Sequence, residues 1–218
     1  MASSPRRCPP PAPTTRRSTR ERLHPSGAAV TRIIAGAARG RRIAVPAGGA
    51  RPTTDRVRES MFASLDHALG GFIGARVLDL FAGSGALGLE AASRGAAVVV
   101  LVERDRPTAA VARANAEVVG IRGVRVVAAS VAAHLAGEPE PFDLVLADPP
   151  YALSAVEVEA FLAALTRGWL APEALVMVER ATRGGEFSWP PGLVALRQRA
   201  YGATTLWYGQ SASDGEAS

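Results

Sequence analysis

The chain has few of the residues that build disulfides and metal centres. Cys8 is the only cysteine among 218 residues, which excludes an internal disulfide and argues against a thiolate metal site. His24, His67 and His134 stand far apart in the sequence, so each is expected to be an ordinary surface or helix residue. We therefore expect no metal and no cysteine chemistry.

Long apolar runs and lysine are also missing. No run approaches the ~20 apolar residues that a membrane-spanning helix needs, so we expect a soluble, cytosolic protein with no membrane partner. With 48% apolar residues, the chain can bury one sizeable core, and most of the length after residue 75 is expected to form a single domain. We expect the protein to be a monomer. All 25 basic residues are arginine.

The arginines are unevenly distributed. Residues 1–60 contain 13 arginines and three acidic residues, a net charge of +10, whereas residues 61–218 contain 12 arginines and 17 acidic residues, a net charge of −5. Arginine binds phosphates and stacks on rings, and phosphate contacts dominate affinity for nucleic acids. The front of the chain is therefore the half expected to bind RNA or DNA.

The sequence predicts three segments. Residues 1–29 are rich in proline, arginine, serine and threonine and contain too few apolar residues to fold, so they are predicted to be a disordered basic tail. A domain pattern begins abruptly at Val30; a GTG start codon would explain valine there, which suggests that translation begins at this residue. A catalytic domain is predicted over 30–210, with residues 30–74 as an extension towards a nucleic acid, and 211–218 as a second disordered tail.

From residue 76 onwards, apolar strands alternate with helices. Strands are predicted near 76–81, 97–102, 124–128, 142–147 and 174–179, and helices near 86–94, 107–119 and 155–166, the last opened by a capping box at Ser154 and Glu157. This alternation predicts an α/β fold with a mostly parallel, Rossmann-like sheet that binds ligands beyond the carboxyl ends of its strands. Strands near 193–199 and 203–208 are predicted to form an antiparallel hairpin at one edge. Two short strands, 31–35 and 42–45, and a helix from Asp55 precede the sheet.

A glycine loop follows the first sheet strand and leads into a helix. Gly83, Gly85 and Gly88 match the dinucleotide pattern G-x-G-x-x-G, which lets backbone N–H groups approach a cofactor closely. The carboxylate of Asp79, at the strand end, would be repelled by a pyrophosphate but attracted by the cationic sulfonium and amino groups of S-adenosylmethionine. Glu103 ends the next strand, where a carboxylate can accept both ribose hydroxyls of either cofactor.

The residues Asp148-Pro149-Pro150-Tyr151 end the strand predicted at 142–147 and are suited to methylation of an exocyclic amino group. Such an amino group is a poor nucleophile, so an enzyme must hold its N–H bonds with acceptors. Asp148 supplies a carboxylate, and the two prolines give a rigid backbone with a carbonyl and no competing N–H. Tyr151 can stack on the ring, which is worth roughly 1–3 kcal/mol per base and helps to hold an extruded nucleotide.

In the helix from Asp55, an apolar face carries Val57, Met61, Leu65 and Leu69, with Arg56 and Arg58 off that face. From the sequence alone, these arginines are equally consistent with a solvent-exposed helix face and with contacts to a nucleic acid.

Together, these motifs resemble the class I methyltransferases that use S-adenosylmethionine. More narrowly, residues 32–36, 51–59 and 79–85 look like the RsmD family of bacterial 16S rRNA guanine-N2 methyltransferases, over roughly residues 30–210. The resemblance implies S-adenosylmethionine as cofactor, direct in-line transfer, and 16S rRNA or a small ribosomal subunit under assembly as partner. Many relatives carry an acidic residue against the adenine amino group, where this chain has Ser130, whose hydroxyl can accept. Carried over by position, the donor would contact Asp79, Phe81, Gly83, Gly85, Glu103 and Ser130; the guanine would contact Asp148, Pro149, Pro150 and Tyr151; and the RNA would contact Arg51, Thr53, Arg56 and Arg58.

Other functions explain less of the sequence. Adenine-N6 methyltransferases share the acidic Pro-Pro-aromatic motif but usually need a target-recognition region, and only 67 residues follow Tyr151. Protein glutamine methyltransferases generally have asparagine in place of Asp148. An NAD-dependent oxidoreductase would leave residues 148–151 unexplained, and a non-enzymatic RNA-binding module would leave Asp79 and Glu103 without a role.

Overall fold

The structure is a computed structural model that describes residues 29–46 and 55–212. Its elements follow the chain in this order: β1 (Val30–Arg32), β2 (Arg42–Ala44), α1 (Asp55–Leu69), β3 (Arg76–Asp79), α2 (Ala86–Arg94), β4 (Val98–Glu103), α3 (Arg106–Val119), β5 (Val124–Ala128), α4 (Val131–Leu135), β6 (Phe142–Ala147), α5 (Ala155–Leu165), β7 (Leu170–Ala181), β8 (Leu193–Tyr201) and β9 (Thr204–Ser211).

Seven strands form the main sheet in the order β5-β4-β3-β6-β7-β9-β8. Strands β3 to β7 are parallel, and β9 pairs antiparallel with both β7 and β8. This confirms the predicted α/β class, the Rossmann-like sheet and the hairpin at its edge. The chain order reverses between β3 and β6, and in an open α/β sheet such a reversal creates the crevice that binds ligands.

Helices cover both faces of the sheet because the central strands are apolar on both sides. Helices α1 and α2 pack on one face through Met61, Phe62 and Leu89. Helix α5 covers the other face with Val158, Leu162 and their neighbours. Side chains that alternate along each strand divide between the two cores. The strands are therefore held in place by helices packed on both faces of the sheet.

The small β1–β2 sheet is tied to the main domain by polar side chains. The buried carboxylate of Glu90 accepts hydrogen bonds from the amides of Ile34 at 2.7 Å and Ala35 at 3.0 Å. Asn115 accepts from the Ala44 amide at 2.9 Å and donates to the carbonyls of Ala44 and Ser84, both at 2.8 Å. These contacts hold the extension against α2 and α3.

Gly36 lies where the extension meets α2. It has φ of 81°, and a Cβ there would lie 1.8 Å from the Ser93 carbonyl oxygen. The close approach of the two backbones therefore requires glycine at this position.

Several predicted boundaries differ from the observed ones. Strand β1 ends at Arg32 and not near 35, because the amides of Ile34 and Ala35 donate to Glu90 and not to a strand. Strand β7 starts four residues earlier than predicted and is irregular at Glu173, which has φ of 59°. The five-residue helix α4 was not predicted. The predicted tail at 211–218 begins inside β9, which ends at Ser211, and residues 1–28 lie outside the described part of the chain.

Candidate functional site

The glycine loop, residues 80–85, runs from the end of β3 to the start of α2. Gly83 has φ of 53° and Gly85, which caps α2, has φ of 82°, conformations that glycine adopts readily. Gly88 has a different role, since a Cβ there would lie 2.2 Å from Leu101 Cδ2. The third glycine of the pattern thus allows α2 to pack closely on β4.

Asp79 lies at the end of β3 and is fully buried. Its Oδ2 accepts a hydrogen bond from the Gly88 amide at 3.0 Å. Its Oδ1 is buried and has no partner in hydrogen-bond geometry. Burial raises the pKa of this carboxyl to about 7, although the amides of Gly88 and Phe81 lower it. A buried acid with one unpaired oxygen would be stabilised by a cation nearby.

Glu103 is held in place by two backbone amides. Its Oε2 accepts from Gly83 at 2.9 Å, and its Oε1 accepts from Asp105 at 2.8 Å. The side chain therefore links the end of β4 to the glycine loop and is not a freely solvated charge. Each carboxylate oxygen retains a second acceptor position for a ligand hydroxyl.

Residues 148–151 follow β6 at the crevice. Pro149 is buried and Tyr151 is 58% exposed, so the tyrosine ring is free to stack on a planar ligand. The Pro150 carbonyl accepts from the Leu153 amide at 2.8 Å. This bond occupies one of the two carbonyls that were predicted to accept from the substrate amino group. The Pro149 carbonyl is therefore the better candidate for that acceptor.

Asp148 has a buried acidic neighbour that sequence reasoning missed. Strands β6 and β7 are in register up to Ala147 and Val178, so Asp148 and Glu179 lie side by side on neighbouring strands, roughly 4.8 Å apart at the backbone. Glu179 is only 4% exposed. Burial, then Glu179 and then Asp79 raise the pKa of Asp148 to about 8.

The sequence contained a signal for Glu179. It is the last residue of the strand predicted at 174–179, in the same position at a strand end as Asp79, Glu103 and Asp148. The side chains of Asp79, Asp148 and Glu179 also share one face of the sheet, by alternation from Val77, Leu146 and Met177 of the same core.

Ser130, predicted to contact the adenine, is the N-cap of α4. Its Oγ accepts from the Ala133 amide at 3.1 Å. The hydroxyl proton remains available to donate, and the side chain borders the same cavity as Glu103.

The arginines of α1 differ from the expectation in one respect. Arg56 is exposed, but Arg58 is 2% exposed and donates from Nη2 to the Arg32 carbonyl at 2.7 Å and to Asp55 at 2.9 Å. Its predicted position off the buried face is wrong, because the helix packs its first turn under the β1–β2 extension. Arg51 and Thr53 lie outside the described residues.

A cavity of about 990 Å³ joins these parts. Its volume is at the upper end of the range for small-molecule sites. Asp79 and Gly85 do not line it, and they support the wall from behind. The predicted site residues that do line it, with the added Glu179, are Arg58, Phe81, Gly83, Glu103, Ser130, Asp148, Pro149, Pro150, Tyr151 and Glu179.

Within the described ranges, no group of three or more histidine, cysteine, aspartate or glutamate residues could hold a metal ion. Over the same ranges, no helix is long and apolar enough to cross a membrane.

Comparison with known proteins identifies the family. The family model described as "Conserved hypothetical protein 95" matches residues 31–210. The chain is 38% identical over 192 residues to ribosomal RNA small subunit methyltransferase D of Escherichia coli K12, which covers 88% of this chain and 95% of the relative.

Solved structures agree with the sequence match. The Escherichia coli protein yhhF superposes with a TM-score of 0.76 at 35% identity, over 85% of this chain and 100% of that one. The Thermus thermophilus protein TTHA0928 superposes with a TM-score of 0.70 at 34% identity, over 82% and 98%. The glycine loop, the acidic strand ends and these matches agree: the chain is an enzyme and belongs to the RsmD family of methyltransferases.

Proposed function

We propose that this protein transfers a methyl group from S-adenosylmethionine to the N2 amino group of a guanine in small-subunit rRNA. The observation that carries the proposal is the pairing of Asp148 with Glu179 beside the exposed ring of Tyr151, in the cavity that Glu103 also lines. The family relatives named as small-subunit rRNA methyltransferases support the choice of RNA.

The residues present fit S-adenosylmethionine. Asp79 is buried and does not line the cavity, so its charge would be stabilised by the sulfonium or amino group of the cofactor at a distance and not by direct contact. Glu103 has its carboxylate fixed by two amides and keeps acceptor positions for the ribose hydroxyls. Bound there, the cofactor would supply its methyl group as an electrophile.

The two carboxyl groups favour guanine over adenine. The Watson–Crick edge of guanine carries two adjacent donors, N1–H and the N2 amino group, whereas adenine has one amino group beside the N1 acceptor. With both carboxyl groups ionised, which is also the form in which Asp148 can receive a proton, the pair would accept from two donors and would repel the adenine acceptor. Glu179 has other interactions within the protein, but a carboxylate has about four acceptor positions and can add a base to them.

Asp148 would orient the amino group and receive its proton. A pKa raised to about 8 by burial lies close to the working pH, which suits a general base. Tyr151 would stack on the extruded base, and the rigid Pro149-Pro150 backbone would fix the distance to the donor. The rate would come mainly from positioning the amino nitrogen in line with the methyl group.

The experiment is methylation of small-subunit rRNA taken from cells that lack this protein, followed by mass spectrometry of the nucleosides. We expect N2-methylguanosine with wild-type protein and none with Asp148→Asn, while calorimetry shows cofactor affinity within a few-fold of wild type. N6-methyladenosine as the product would overturn the guanine assignment and retain the cofactor. Binding of NAD in place of S-adenosylmethionine would overturn the whole proposal.

A further inference from the structure

Two arginines outside the cavity lie on the edge strand β8. Arg197 and Arg199 are exposed, and each guanidinium lies over a tyrosine ring, 4.7 Å from the centroid of Tyr208 and 5.2 Å from that of Tyr201 respectively. Neither pairs with a carboxylate among the described residues. Ring contacts hold these arginines in place while most of their five N–H donors stay available.

The strand register connects Arg199 to the cavity. Asp148 lies beside Glu179, Glu179 pairs with Leu206, and Leu206 pairs with Arg199. Residues directly opposite each other in a sheet project from the same face, so Arg199 shares the face of the two acids. Three strand spacings separate it from Asp148, roughly 14 Å, a distance that a few nucleotides of RNA can span.

Helix α1 extends this basic surface towards the cavity. Ser60 contacts the Tyr201 hydroxyl at 2.8 Å, and Arg197 donates to Ser64 at 2.7 Å. Arg56 stands four residues before Ser60, so it lies on the same stripe of the helix, one turn nearer the carboxyl ends of the strands. The exposed arginines therefore follow one line where α1 contacts the hairpin.

We propose that Arg197 and Arg199, together with Arg56, bind consecutive phosphates of the RNA strand whose base enters the cavity. The inference rests on the proposed function and adds to it the path of the RNA. The three arginines are exposed and lie on one face, a few nucleotides' length from the cavity beside Asp148. This arrangement is suited to binding the phosphates of an RNA strand. Of the basic front, the described residue on this surface is Arg56, and the hairpin supplies Arg197 and Arg199.

The test measures binding of a small-subunit rRNA transcript as a function of salt, with the double variant Arg197→Ala/Arg199→Ala. The matched control is Arg113→Ala/Arg122→Ala, which removes two exposed arginines beside β5 at the opposite edge of the sheet. We expect the double variant to bind RNA about tenfold more weakly. The slope of log K against log salt should become shallower by roughly 0.7–0.9 per lost contact. The control should match wild type in both.

Since Arg197 packs on the buried Tyr208, Arg199→Ala alone is the second variant and is checked by thermal melting. Arg199→Lys keeps the charge and should keep the salt slope. Wild-type affinity and slope in Arg199→Ala and the double variant would overturn the inference. A loss confined to intact small-subunit particles, with the transcript bound normally, would mean that the surface faces a ribosomal protein and would also overturn it. If the wild-type protein bound the RNA but did not methylate it, the proposed function would be rejected. The salt dependence of RNA binding in the variants would still test whether these arginines contact phosphates.

Discussion

Replacing Asp148 with asparagine should abolish methyl transfer and at the same time stabilise the protein. Asparagine is close in shape to the neutral carboxyl, and the pKa of Asp148 is raised to about 8 by burial, by Glu179 and by Asp79. In the unfolded chain, the carboxyl ionises near its ordinary value of 3.8. Between these two values, the folded state binds one more proton than the unfolded state, so the free energy of unfolding falls as pH rises.

The magnitude follows from this linkage. One extra proton in the folded state corresponds to a slope of about −1.4 kcal/mol per pH unit, which is an upper bound because nearby carboxyls titrate together. The full contribution is present below pH 4 and is lost as pH passes through about 8. Asparagine has no proton to lose, so the difference between variant and wild type should grow by about 1 kcal/mol per pH unit between pH 5 and pH 7.

The assay is urea unfolding of both proteins at pH 5, 6, 7 and 8, without cofactor. Subtracting the two series removes the titrating groups that the proteins share, apart from Glu179 and Asp79, which interact with Asp148. Parallel curves would show that Asp148 ionises normally in the fold, and the argument for a pKa near the working pH would fail. Glu179→Gln is a useful partner variant, because removing that neighbour should lower the pKa of Asp148 and reduce the wild-type slope.

Three further predictions concern single side chains. Glu103→Ala should weaken binding of S-adenosylmethionine by about 1.5–3 kcal/mol for each lost charge-assisted hydrogen bond, and an unchanged dissociation constant in calorimetry would make Glu103 purely structural. Gly88→Ala should lower thermal stability by about 1–3 kcal/mol because its Cβ meets Leu101 at 2.2 Å, whereas Gly40→Ala, which meets no atom within 4 Å, should show only the cost of its backbone conformation. Glu90→Ala should destabilise the protein by about 3–5 kcal/mol, since it leaves Arg94 and two amides without their acceptor; a melting temperature equal to wild type would contradict this.

Local sequence patterns were sufficient for the sheet and for most of the cavity wall. Strand β4 is a continuous apolar run up to Glu103, and β6 is apolar except for Asp143. The acids at their ends had to meet at one edge because the strands are parallel. The glycine loop was recognisable because its spacing reflects backbone geometry. In each case, the structure could be predicted from residues that are neighbours in the sequence.

The sequence reasoning failed where distant parts of the chain determine the environment. Arg58 was placed off the apolar face of Val57 and Met61, but the β1–β2 extension covers it and binds it through the Arg32 carbonyl. Glu179 was passed over because its pairing with Asp148 depends on the register of β6 and β7. The order of strands along the sheet, which places Arg199 level with Asp148, could not be read from periodicity.

Asn115 connects the β1–β2 extension to the glycine loop. Its side chain amide bonds both to Ala44 in the extension and to Ser84 in the glycine loop. A ligand that orders the glycine loop would act on the extension through this residue, and a ligand that restrains the extension would act on the loop. Any such coupling is reciprocal, so we expect binding at either surface to change the affinity of the other by the same factor.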